Sequence, residues 1–251
     1  MTMTGLSQKN RILIQFSSYF WSSMDWLYPP RCCNCDCPGV LFCASCQAEL
    51  NVLSRNVCRK CGYPITSKKT LCEECRNDTP PFQAMRSWVS FSGPAKEALH
   101  SLKYKQNLGL GPILALPLVQ IVQKAGWPVD LVIPIPLSTA HQKERGYNQA
   151  ACISRAVARE LNLPHSIRAV KRIKETKTQV DLDVNKRFMN LMDAFYANPA
   201  TLKSRNVLVI DDVITTGATM RSCAKSIMDA GAESVYCLSV ARTLLRRLKK
   251  C

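Results

Sequence analysis

Acidic residues, long apolar runs and a nucleotide-triphosphate loop are all scarce or missing from this sequence, and each shortage narrows what the chain can do. Eighteen Asp and Glu stand against 34 Lys and Arg in 251 residues, a formal charge of +16. That balance favours phosphorylated ligands, nucleic acid or an anionic surface, without choosing among them. No apolar stretch approaches the ~20 residues needed to cross a bilayer, so no transmembrane segment is expected. The N-terminal "RILIQFSSYFW" is interrupted by Gln and Ser, and no small-residue cleavage signature precedes "YPPRCC". A secreted disulfide protein is therefore disfavoured and a reducing cytoplasm expected. No GxxxxGK occurs, which disfavours a P-loop nucleotide hydrolase.

What is present divides the chain. Hydrophobic residues make up 47%, enough for one substantial core with a small satellite. Leu13, Phe16, Phe20, Met24 and Leu27 recur at helical spacing, so residues 12–27 are expected to form an amphipathic helix docked on the protein's own core. Ten of the fourteen cysteines lie between Cys32 and Cys75, in a stretch too poor in apolar residues to fold without cross-links. The expected organisation is an N-terminal segment (1–30), a cysteine module (31–80) and a larger domain (84–245), with "NDTPPFQA" (77–84) as linker.

Cys32, Cys35, Cys43, Cys46, Cys58, Cys61, Cys72 and Cys75 form four CxxC pairs. Each CxxC turn aims two thiolates at one centre, and two turns complete the tetrahedral sulfur shell that zinc accepts. Two structural zinc sites are expected, since four sulfurs leave no open position for catalysis. The first two and last two pairs can combine, or the pairs can interleave. Cys33 and Cys37 fall outside the pattern.

In the larger domain, "RSWVSF" reads as a strand and Ala95–Tyr104 as a helix with Ala98, Leu99 and Leu102 inward. Residues 110–124 suggest a helix broken or restarted at Pro117. "VDLVIPIPL" is continuously apolar, as in a parallel strand covered on both faces. A helix follows with Ala151, Val157, Ala158 and Leu161 as its buried side. Residues 171–190 are dense in charge without a sustained apolar period and read as a loop or lid, or equally as an exposed helical hairpin. The strand "NVLVI" then leads to an acidic pair, a threonine loop, a helix over 219–230 with Met220, Cys223, Ala224 and Ile227 inward, and the strand "SVYCLSV". Strand, helix, strand in this order is the signature of an α/β fold with a parallel sheet flanked by helices. The tail "ARTLLRRLKKC" is expected to fray.

The chemistry concentrates in "VLVIDDVITTGATM", Val207 to Met220. At the carboxyl end of a parallel strand, Thr215, Thr216, Gly217, Ala218 and Thr219 combine three hydroxyls, a permissive glycine and a helix N-terminus, a cradle for phosphate. Asp211 and Asp212 are suited instead to ribose hydroxyls or a divalent cation. A pentose phosphate satisfies both halves, whereas a ligand-free capping turn leaves the acids without a use.

"VLVIDDVITTGAT" resembles the phosphoribosyl-diphosphate motif of type I phosphoribosyltransferases. Together with "IPIPL", "RGYNQ" and "TKTQ" followed by Leu182, Arg187 and Asn190, it resembles the ComF competence-protein family, in which that domain follows an N-terminal cysteine zinc module. The resemblance implies ribose hydroxyls on Asp211 and Asp212, the 5-phosphate on residues 215–219, magnesium with phosphoribosyl diphosphate, and a diphosphate-facing segment Ser138–Lys143. Arg145 and Gln149 belong to the RGxNQ signature, and Tyr147 lies where an aromatic residue is usual. His141 stands where an arginine is common, and Lys143 can replace that charge. DNA, especially single-stranded, and other competence proteins are the implied partners.

No residues identify an incoming base. A phosphoribosyltransferase with an unknown acceptor, linked to DNA uptake or natural transformation, therefore stands beside a non-catalytic DNA-binding competence factor that keeps the fold. For DNA, the basic stretches Lys171–Arg187 and Arg242–Lys250 are the expected contacts.

Overall fold

The computed structural model describes residues 29–53, 56–65, 70–173 and 194–244. The expected N-terminal helix, most of the charged segment after Lys171 and the basic end of the tail lie outside these residues. The chain divides into two compact units, Met1–Ala48 and Glu49–Cys251. In the first, an Arg31–Pro38 bridge closes a knuckle and a short helix α1 (Ala44–Ala48) follows.

The second unit opens with another knuckle, bridged between Val57 and Pro64, and helix α2 (Glu73–Asn77). Strand β1 (Ala84–Ser90), helices α3 (Gly93–Tyr104) and α4 (Leu110–Ala125), strand β2 (Leu131–Pro134), and helices α5 (Thr139–Arg145) and α6 (Gln149–Glu160) come next. They are followed by strands β3 (Val170–Arg172) and β4 (Phe195–Ala197), helix α7 (Pro199–Leu202), strand β5 (Asn206–Ile214), helix α8 (Ala218–Asp229) and strand β6 (Ser234–Arg242). The main sheet runs β1-β6-β5-β2 with every pairing parallel, while β3 and β4 form a separate antiparallel pair.

Burial explains the layers. All four residues of β2 are buried, and Val207, Leu208, Val209 and Ile210 of β5 are fully so. Burying each such side chain contributes about 1.5–3 kcal/mol. One face of the sheet packs Val207 and Val209 with Met220, Cys223, Ala224 and Ile227 of α8, with β3 and β4, and with Cys58, Cys61, Cys72 and Cys75. Helices α4 and α6 pack on each other; α4 also contacts β1 and β6, and α6 contacts β2 and β5.

Four readings of the sequence change. Helix α4 continues through Pro117, because Leu114, Ala115, Leu118 and Val119 are all buried, and that packing outweighs one lost backbone hydrogen bond. On α6, Ala151 and Leu161 are only partly buried, and Ile153 and Ala156 take the inner face with Val157 and Ala158. The stretch expected to be a linker is packed: Phe82 has no exposure and Gln83 N–H donates to Val235 O at 2.7 Å. Arg242, expected in a frayed tail, ends β6 and is 3% exposed.

The second knuckle is fastened to the sheet at Gly62, whose φ is +67° and whose added Cβ would lie 2.4 Å from Met85 O. Met85 N–H also donates to Lys60 O at 2.7 Å. Gly62→Ala is therefore expected to destabilise the protein by roughly 1–3 kcal/mol. Gly111→Ala, whose Cβ would meet Cys152 at an ordinary 3.5 Å inside α4, is expected to stabilise it by about 0.5–1 kcal/mol. Urea unfolding of both variants checks this. Equal midpoints would contradict it.

Candidate functional site

The acidic pair does not end its strand. β6 continues to pair beyond Ile210, with Asp211 opposite Ser239, Val213 opposite Ala241 and Ile214 opposite Arg242. Successive residues of a strand face opposite sides. Asp211 thus joins the face of Val207 and Val209, and Asp212 the face of Leu208 and Ile210.

The surroundings of the two acids differ accordingly. Asp212 is 7% exposed, and its Oδ2 lies 2.6 Å from Lys103 Nζ at the end of α3. The same oxygen is 3.4 Å from Gln149 Nε2, while Oδ1 accepts from Val213 N–H at 2.8 Å. Asp211 is partly exposed, and its Oδ1 accepts from Asp212 N–H at 2.8 Å. Burial and then the neighbouring Asp212 carboxylate push the Asp211 carboxyl well above the usual carboxylate range. Cys223 of α8 stands close enough for burial and Asp211 together to push its thiol up.

Beyond Ile214 the chain turns into α8. Gly217 caps that helix at φ +83°, a left-handed conformation that glycine adopts without steric cost. Thr215 and Thr216 are exposed, Thr219 is partly exposed, and Gly217 and Ala218 are buried. Thr216 Oγ1 accepts from Ala218 N–H at 3.3 Å. The threonine hydroxyls thus lie at the N-terminus of a twelve-residue helix that follows the acids, a kind of position at which helix N–H groups can bind an oxyanion.

"RGYNQ" lies along the last turn of α3. Arg145 stands 5.1 Å over the Tyr104 ring and its Nη2 is 3.4 Å from Tyr104 Oη. Tyr147 O–H donates to Leu102 O. Asn148 caps α6, accepting from Ala150 N–H at 2.9 Å, and donates to Ile135 O at 2.8 Å. Gln149 then reaches Asp212. Of the expected phosphate cations, Arg145 is thus held beside α3, whereas Lys143 is exposed on α5. Lys103 and Tyr104 were not singled out from the sequence. The helical period carried a signal for Lys103: it follows Leu99 by four residues and so continues the buried stripe.

The cysteines form two groups, Cys32, Cys35, Cys43 and Cys46, and Cys58, Cys61, Cys72 and Cys75, with sulfurs within 4.8 Å of one another in each. Sequential pairs combine, and the interleaved alternative does not occur. The separations Cys32 to Cys46, Cys35 to Cys43 and Cys61 to Cys72 are 3.8, 3.6 and 3.7 Å. A tetrahedron with Zn–S arms of ~2.3 Å has edges of about 3.8 Å, so the donor set fits zinc. Cys33 and Cys37 belong to neither group. Around the second group, Arg242 Nη1 donates to Cys61 O and its guanidinium lies 5.3 Å from the Tyr63 ring. Just beyond α2, Asp78 Oδ2 pairs with Arg221 Nη1 of α8 at 2.7 Å.

The double zinc ribbon family model matches residues 23–84, and the phosphoribosyl transferase domain model matches 148–250. Competence protein F of Haemophilus influenzae is 30% identical over 208 residues, 80% of this chain and 90% of that protein. The DNA utilization protein YhgH of Escherichia coli K12 is 27% identical, covering 86% and 98%. Competence protein ComFC of Bacillus subtilis is 26% identical, covering 82% and 86%. Among solved structures, a B. subtilis glutamine phosphoribosylpyrophosphate amidotransferase complexed with ADP and GMP aligns at a TM-score of 0.35 and 17% identity, covering 53% of this chain and 25% of that one.

The raised Asp211 carboxyl makes a signed prediction. The folded state holds this proton more tightly than the unfolded chain, whose carboxyl titrates near ~3.9. Asp211 therefore contributes stability below that value and loses it as pH rises through the folded value. Asp211→Asn keeps the acceptor for Asp212 N–H and removes the titration. Its Tm, relative to the parent, should rise progressively from pH 4 upward; a pH-independent difference would contradict the assignment.

Proposed function

The chain belongs to the competence protein F family, and on that premise we propose that its phosphoribosyltransferase-like domain binds phosphoribosyl diphosphate, or another pentose phosphate, in the service of DNA uptake or DNA use. The observation that carries this reading is the placement of Asp211 and Asp212 on β5 directly before the Gly217-capped start of α8. In it, Thr215, Thr216 and Thr219 and the N–H groups of Gly217 to Thr219 receive the 5-phosphate. Asp211 and Asp212 receive ribose hydroxyls, and their oxygens also suit magnesium, a cation that would neutralise diphosphate charge. Arg145 and Lys143 serve the diphosphate side. The names of the relatives, DNA utilization protein and competence protein, support a DNA-linked role.

A second reading, a non-catalytic DNA-binding factor that keeps the fold, draws on one observation: Lys103 and Gln149 already occupy the Asp212 carboxylate that a transferase would turn to ribose. Arg242 is withdrawn from the DNA-contact stretch in either reading, because it is buried. No described helix is long and apolar enough to cross a membrane.

Two zinc ions in the cysteine groups act structurally in this proposal. Elemental analysis should return two zinc per chain, and complete chelation should unfold the second group together with its docking on β1. No zinc, or an unchanged spectrum after chelation, would contradict it. For the ligand, calorimetric titration with phosphoribosyl diphosphate and magnesium should show binding by the parent and a loss of about a hundredfold or more in Asp211→Asn/Asp212→Asn. Hydrogen bonds to charged groups contribute ~1.5–3 kcal/mol each, the basis for that factor. Equal affinities would refute the ribose assignment. No binding by the parent would favour the second reading.

A further inference from the structure

Four thiolates around one divalent ion form a dianion. At the second cysteine group that charge would sit among side chains closed to water, since Cys58, Cys61, Cys72 and Cys75 are all buried. Solvent does not screen it there, so neighbouring cations must. Two arginines on adjacent strands of the sheet meet the group. Arg86 of β1 is partly buried, and its Nη1 donates to Arg59 O at 3.0 Å and to Met85 O at 2.8 Å. Arg242, at the end of β6, is 3% exposed. Its Nη1 donates to Cys61 O, its guanidinium lies 5.3 Å from the Tyr63 ring, and its Nε is buried without a hydrogen-bond partner. Hydrogen bonds therefore do not account for this buried cation by themselves; opposite charge is required. Cys58 and Cys61 supply it to Arg86, and Cys61, Tyr63, Glu74 and Cys72 to Arg242.

The backbone of Arg242 braces the turn into α8. Arg242 is the register partner of Ile214, the last residue of β5, and Thr243 N–H donates to Ile214 O at 2.9 Å. Ile214 is buried in the same hydrophobic cluster as the four cysteines, and its Cγ2 lies 3.8 Å from where a Cβ of Gly217 would stand. One residue thus reaches a cysteine of the group with its side chain and the start of the Thr215–Thr219 loop with its backbone. We propose that Arg242 is the counter-charge of zinc at the second group and a positioning residue that couples zinc occupancy to the order of the turn from Ile214 into α8. When zinc leaves, the cysteines take up protons, and Glu74 is left to offset the guanidinium. A buried cation stripped of its counter-charge moves toward water, and the end of β6 that fixes Ile214 moves with it. The proposal rests on the zinc reading above, and its bearing on ligand binding rests on the phosphosugar reading.

The test compares Arg242→Met and Arg242→Lys with the zinc-loaded parent. Zinc release into a chromogenic chelator reads the first half of the claim. Arg242→Met should lose one of its zinc ions about tenfold or more faster than the parent, and Arg242→Lys, which keeps the charge but not the planar fork, by a smaller factor. The other zinc should leave all three proteins at one rate. Hydrogen exchange reads the second half at the amides of Thr243 and Arg221, the latter donating to Gly217 O at 2.9 Å. Stripping zinc from the parent should speed exchange at both about tenfold or more, and in Arg242→Met both should exchange nearly that fast with zinc still bound. Parental zinc release in Arg242→Met, equal acceleration of both zinc ions, or parental exchange at the two amides in zinc-loaded Arg242→Met would overturn the proposal. A parent that holds no zinc at Cys58, Cys61, Cys72 and Cys75 would overturn the zinc reading and the proposal together. If Arg242→Met does not fold, the same comparison between Arg242→Lys and the parent decides.

Discussion

The parallel pairing of β5 with β6 is the constraint on which the site depends. Because the pairing persists through Asp211, Val213 and Ile214, the acids remain under the strict alternation of a strand and cannot share one environment. Asp211 is delivered to the layer of α8, Asp212 to the layer of α6 and the end of α3. The turn that follows must then reverse into α8 within a few residues, and Gly217 makes this possible at φ +83°. A carboxylate on each face and a helix start between them follow from the register of one strand.

The same strand end is held from the other side by the second cysteine group. Met85 links them: its backbone carbonyl closes on Gly62, and its Cε lies 3.5 Å from where a Cβ of Gly217 would stand. Asp78, just beyond the helix of that group, pairs with Arg221 one turn into α8. Cys58, Cys61, Cys72 and Cys75 share a hydrophobic cluster with Val207, Val209, Cys223 and Ile227. A segment too poor in apolar residues to fold alone thereby becomes part of the wall behind the Thr215–Thr219 loop. The buried Arg242 joins them again through Cys61 O.

Much of this was legible because it depends on local pattern. The continuous apolar run at β2, the stripe Met220, Cys223, Ala224 and Ile227 on α8, and the CxxC spacing each report a short-range rule that tertiary contacts then reinforce. What failed to show depends on long-range pairing. β5 reads as ending at Ile210 because acids break its apolar run, yet β6 carries it further. Pro117 reads as a break because local propensity cannot weigh four buried neighbours. Lys103 lies 109 positions before Asp212 in the numbering of the chain, and only the helical period hinted that it faced inward. The RGYNQ stretch was recognisable as a motif, but its fit to Leu102 and Tyr104 required the fold.

The central claim is that one strand and one loop hold a pentose phosphate, acids on the ring and threonines on the 5-phosphate. A crystal structure of the protein grown with phosphoribosyl diphosphate and magnesium tests it most directly. The account predicts density for the sugar hydroxyls at Asp211 and Asp212 and for the 5-phosphate against Thr215 to Thr219. A well-ordered ligand bound elsewhere on the domain, with the acids still engaged only by Lys103 and Gln149, would contradict it.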